Sequence, residues 1–114
     1  MLDPSTPDCV RDCYDLGVRV RPFSNDLYAV QLRKALEAVC KDREVPERAT
    51  LYQQIEELAK QNKAGEVISK AAHELRDVGN RGAHYSDAKV TDGDIRKLEH
   101  LLGLTTAYVY GGND

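Results

Sequence analysis

Apolar residues in this chain recur every three or four positions and almost never every second one, so the pattern predicts helices throughout. The one brief alternation is "GVRVR", residues 17–21, too short to read as a strand. A first helix is expected from Pro7 to Leu16, with Pro7 in its first turn and Val10, Cys13, Tyr14 and Leu16 on the buried side. The stretch "GVRVRPFSN" reads as a linker whose Ser24 or Asn25 can cap the next helix. That second helix spans about Asp26 to Asp42. Ala29, Leu32, Leu36 and Val39 fall on one face, and Gln31, Lys34, Glu37 and Lys41 fall opposite. Pro46 ends the connection that follows. Thr50 and Gln53 form a capping box for a third helix striped by Leu51, Ile55 and Leu58, which "KQNKAGE" then breaks.

A fourth helix is predicted from about Gly65 to Val78, with Val67, Ala71, Leu75 and Val78 on its apolar face and Gly79 as its stop or bend. The polar run "HYSDAKVTDGD" leads to a last helix capped at Thr91 or Asp92. Ile95, Leu98, Leu102 and Val109 make one apolar stripe on it, while Leu101, Leu104 and Tyr108 make a second. A helix apolar on two sides lies inside a bundle or is shared with another chain. With so few helices available to cover it, a homodimer seam is expected, Gly103 allowing close approach. The fold class predicted is all-α, an up-and-down bundle of four to five helices. Residues 1–24 form a short N-terminal helix and linker, 25–110 the bundle, and 111–114 a frayed tail.

Length and composition narrow the classes that remain. The 114 residues suit one domain, with 41% hydrophobic and 31% charged residues. The formal net charge of −3 provides no global attraction for nucleic acid, so any such contact needs a local basic cluster. "MLDPSTPDCVRDC" has neither the basic nor the apolar region of a signal peptide, and no apolar run is long enough for a membrane span. Three cysteines are an odd number, and reduced thiols in a cytoplasmic protein are expected. Cys9 and Cys13 stand one helical turn apart, but no second pair completes a zinc set. They are expected to be small buried residues, and neither metal nor cofactor is expected. Cys40, within "EAVCK", reads as core, and Glu56 and Glu57 as a solvated face.

The distinctive segment is "LRDVGNRGAH", residues 75–84. If the helix ran on through it, Arg76, Asn80 and His84 would fall at i, i+4 and i+8 on one stripe, with Arg81 beside His84. Gly79 and Gly82 would be thin places where a ligand or another backbone comes close. These groups suit metal-free RNA cleavage: a histidine moves the proton, and an arginine grips phosphate oxygens and stabilises added negative charge. The segment holds one histidine, so a full acid–base pair would need a second copy of the chain. The same residues also fit a plain helix end, with Gly79 and Asn80 as terminators and His84 favoured by the helix dipole.

The order "AVQLRKALEAVC", "LYQQIEELAK", "LRDVGNRGAH" and a final "AYVYG" resembles an uncharacterised bacterial domain family with an L-R-x-x-G-N-x-x-A-H segment, grouped with the HEPN superfamily. The resemblance covers about Asp26 to Tyr110. It implies a dimerising helical bundle that brings two such segments together. HEPN proteins are frequent in toxin–antitoxin, restriction and anti-phage systems, many as metal-independent ribonucleases with an arginine, often a polar neighbour, and a histidine. His84 matches that histidine and Asn80 the polar residue. Gly79 stands where the arginine belongs. Seven residues separate Arg76 from His84, one beyond the usual spacing. On a helix that separation is ~12 Å.

Three functions follow in order of expectation. The first is a HEPN-like dimeric module of a defence or toxin–antitoxin system. It would bind RNA, a nucleotide or a protein partner through Arg76, Asn80, Arg81 and His84. The second is a metal-independent endoribonuclease with His84 as acid or base and Arg76 or Arg81 as phosphate clamp across the dimer. The third is a structural interaction domain with no ligand of its own.

Overall fold

The computed structural model describes residues 2–48, 50–61, 65–83 and 90–111, with the backbone alone for 75–83. Among the described residues lie five helices, α1 (Asp8–Val20), α2 (Asn25–Asp42), α3 (Leu51–Lys60), α4 (Gly65–Ala83) and α5 (Asp92–Tyr110), and no strand.

Local chemistry starts three of these helices. The Ser24 side chain accepts from the Leu27 N–H at the head of α2. Thr50 and Gln53 close both bonds of a capping box on α3, and Thr91 and Asp94 do the same on α5. At α1, Pro7 takes the N-cap position rather than the first turn, and no side chain caps that end.

The α1 helix also runs four residues beyond its expected end, so "GVRV" is helix and not linker. Gly17 gives the reason. A Cβ there would lie 3.0 Å from the Gln31 Cβ and 3.1 Å from the Tyr28 ring, so α1 packs on α2 closely enough that any larger residue would push its neighbours back by a few tenths of an ångström. Val10 is buried on that side as expected, whereas Leu16 points outward, 40% exposed.

The end of α2 is a Schellman turn. The Val45 N–H donates to the Cys40 carbonyl at 2.9 Å and the Glu44 N–H to the Lys41 carbonyl at 3.0 Å. Glu44 occupies the left-handed position with φ 58°. A side chain there costs roughly 1 kcal/mol relative to glycine. Glu44→Gly is therefore expected to raise stability by up to about 0.6 kcal/mol, after the greater freedom of the unfolded glycine is deducted. A melting temperature raised by up to about 3 °C would confirm it; a lower one would place the residue's contribution elsewhere.

Each of α2 to α5 packs on the next, α5 closes back on α2, and α1 lies against α2. The four-helix core expected from the pattern is present, built around Tyr28, Leu32, Leu36, Ile55, Ile68, Ile95 and Leu98. Its directions depart from a simple up-and-down bundle. Asn25 Nδ2 donates to Asp92 Oδ1 at 3.1 Å, while Tyr110 Oη donates to Asp42 Oδ2 at 2.7 Å. The two N-terminal ends and the two C-terminal ends of α2 and α5 thus meet, and the helices run parallel. Three reversing connections would have made them antiparallel. Since α3 and α4 form an antiparallel hairpin, with Tyr52 beside His73 and Glu56 beside Ser69, one of the other two connections returns the chain without reversing it. Apolar periodicity specifies which face is buried, not which way the helix points.

The two stripes of α5 are largely consumed within the chain. Leu101 and Leu102 are both fully buried, α5 lying between α2 and α4. Leu104, Tyr108 and Val109 remain partly buried.

Candidate site on the fourth helix

The α4 helix carries its buried face on Ile68, Ala71 and Ala72; Ala71 is buried as expected, whereas Val67 is 41% exposed and Ile68 takes its place. The side chains of Leu75 and Val78, also expected on the apolar face, lie outside the described residues. The backbone does not stop at Gly79 but continues as helix to Ala83. Glycine in a helix interior costs roughly 1 kcal/mol relative to alanine, so α4 carries Gly79 against local preference.

That continuity fixes the register of the motif. Arg76 and Asn80 occupy positions one turn apart, and Arg81 is rotated ~100° from Asn80. The side chains of Arg76, Asn80 and Arg81, and the whole of His84 with the segment to residue 89, lie outside the described residues. The same register extends toward the N-terminus. His73, three residues before Arg76, belongs to the same face and is exposed.

Here the chain presents a cluster that the motif alone does not reveal. His73 Nδ1 shares a hydrogen bond with the Tyr52 hydroxyl at 3.1 Å, their rings 5.5 Å apart and tilted by 56°. One turn earlier, Ser69 Oγ donates to Glu56 Oε1 at 2.7 Å. Glu56 therefore faces α4 and is not merely a solvated residue. Its neighbour Glu57 turns away to Lys60 at 3.5 Å and Arg48 at 3.9 Å. Between the two helices opens a groove of about 580 Å³ lined by Glu56, Ser69 and His73 with Lys60, Glu66 and Lys70. Gly65 lets the start of α4 approach the end of α3, because a Cβ there would collide with the Ala59 carbonyl oxygen. The sequence signal for this cluster was the polar periodicity Ser69, His73, Arg76, Asn80, visible only once the helix is known to run through Gly79.

The thiols divide by burial. Cys40 is core as expected, its thiol pushed up to about 12 by burial and, secondarily, by Glu37. Cys13 is half-buried and donates to the Cys9 carbonyl at 3.5 Å; burial raises its pKa too. Cys9 is exposed, contrary to the expectation of two buried residues. A shallow depression of about 370 Å³ lies on the outer face of α5 over Glu99, His100, Gly103, Leu104 and Ala107. Among the described residues no helix is long and apolar enough to cross a membrane.

Five helices and no strand among the described residues define an all-α domain, with a polar groove between its third and fourth helices. Residues 19–112 match the family model described as a domain of unknown function (DUF4145), and the chain belongs to that family. Neither a curated protein nor a solved structure matches the chain.

Proposed function

We propose that this chain is a HEPN-like, dimeric RNA-binding module that grips the RNA backbone along the C-terminal half of α4. The observation that carries this reading is the unbroken helix through Gly79 and Gly82 to Ala83. A helix that ended at Gly79 would scatter Arg76, Asn80 and Arg81 over a turn; a continuous one places Arg76 and Asn80 in line, directly before His84. The glycines thin the helix beside the arginines, which suits close approach of a phosphate backbone. With a net charge of −3, binding rests on this local cluster and not on the chain's overall charge. Dimerisation is assigned to the depression around Gly103, Leu104 and Ala107, the part of α5 that the chain leaves partly open.

The test is titration of a labelled single-stranded RNA at several salt concentrations, with EDTA present and the RNA length followed in parallel. Affinity is expected to fall with salt. Arg76→Ala or Arg81→Ala is expected to lower both the affinity and the salt slope, the slope by roughly 0.7 for each phosphate no longer neutralised. RNA that stays intact and bound supports a binding module. Cleavage that persists in EDTA and disappears in His84→Ala would make the module an endoribonuclease. Wild-type protein that binds no RNA would refute the proposal and leave protein partners as the reading. Leu104→Asp is expected to give a monomer by sedimentation; a dimer unaffected by it would place the seam elsewhere.

A further inference from the structure

Resting on that reading, we infer that the α3–α4 groove is a nucleotide subsite that takes an unpaired base of the RNA next to the backbone held by Arg76 and Asn80. Its size suits a ligand of that kind, since small-molecule sites run from ~300 to ~1,000 Å³. Its position suits one as well: His73 precedes Arg76 by ~4.5 Å and Asn80 by ~10.5 Å along the helix axis. The ridge and the groove are thus successive stations on one strand.

The groups present divide into three tasks. Exposed His73, braced by Tyr52, offers an aromatic platform on which a base can stack. Glu56 is held by Ser69 through one oxygen. A carboxylate has about four acceptor sites, which leaves capacity for the exocyclic amino group of cytosine, adenine or guanine. Uracil has no such group. Lys60 and Lys70 stand at the rim with exposed side chains. The exposed pair between Lys60 and Glu57 is weak enough to yield to a phosphate. Paired bases cannot enter, so the site selects single strands.

The experiment measures anisotropy of labelled oligocytidine, oligouridine and an RNA duplex with wild type, His73→Ala, Glu56→Gln and Arg76→Ala. Wild type is expected to prefer oligocytidine to oligouridine. His73→Ala should weaken both by roughly fivefold to 150-fold, the range for removing one ring on which a base stacks, and leave duplex binding unchanged. Glu56→Gln should erase the cytidine preference. In wild type, the ring protons of His73 and Tyr52 should shift in the NMR spectrum when oligocytidine is added, a readout independent of whether any variant folds. If those rings do not move and His73→Ala binds as wild type while Arg76→Ala does not, the subsite is overturned and the ridge reading stands. If wild type binds none of the three, both fall.

Discussion

Leu101→Ala is expected to destabilise the protein by about 2–5 kcal/mol, enough to unfold much of a domain of this size at moderate temperature. Leu101 is fully buried, and its helix lies between α2 and α4, so the truncation opens a cavity that the close-packed core closes only in part. The loss is expected to be the same at low and high protein concentration, because the residue is covered by its own chain. Stability that depended steeply on concentration in wild type and not in the variant would instead show Leu101 to be part of a subunit seam. Chemical denaturation at two concentrations a hundredfold apart distinguishes the two outcomes. Leu104→Asp provides the contrast, since Leu104 is only partly buried and its expected effect is on assembly.

Leu101 also illustrates what the sequence could convey. That α5 is apolar on two sides was legible, but which neighbour covers the second side was not, because α2 and α4 supply it from sequence positions far away. Helix beginnings were legible where a side chain makes the bond itself: Ser24, Thr50 with Gln53, and Thr91. Helix ends were not. Gly79 has the local chemistry of a terminator and Gly17 that of a linker, yet both lie inside helices. In Gly17 the preference is overridden by packing, since the missing Cβ is what lets α1 reach Tyr28 and Gln31. The one-residue error on α4, Val67 in place of Ile68, arises because neighbouring apolar residues leave the phase of a stripe open until its partner helix is known.

The candidate site divides in the same way. The residues of "LRDVGNRGAH" stood out from composition alone, whereas the groove beside them needed the pairing of α3 with α4. Tyr52 and Glu56 lie on a different helix from His73 and Ser69, and no spacing along the chain connects them. What the motif contributes is charge; what the groove adds is a shape and an aromatic surface, and the proposed single-stranded RNA would use both.

Where α2 meets α5, Tyr28→Phe is expected to lower stability by roughly 1.5–3 kcal/mol, the range for a buried hydrogen bond to a charged group. Tyr28 is fully buried and donates to Glu99 Oε2 at 2.6 Å. Arg21 reaches the same oxygen at 3.4 Å and lies over the Tyr28 ring at 4.9 Å. Arg21→Ala is expected to have a smaller effect, under about 1 kcal/mol, because its side chain is 52% exposed and the ion pair is screened. The tyrosine also carries a pH signature. Burial first, then the hydrogen bond and charge of Glu99, raise its pKa well above the ordinary tyrosine value. A folded-state pKa above the unfolded one contributes stability that is fully present below pH ~10 and is lost as the pH rises beyond it, by up to about 1.4 kcal/mol per pH unit for each such group. Tyr110, raised by burial and by Asp42, acts in the same direction at the C-terminal end of α5. Wild-type melting temperature is thus expected to decline from about pH 9, where Cys40 begins to contribute, and more steeply above pH ~10, with Tyr28→Phe starting lower and showing less of the steepening above pH ~10. Parallel alkaline profiles for the two proteins would show that Tyr28 does not titrate on unfolding and would assign the decline to Tyr110 and Cys40.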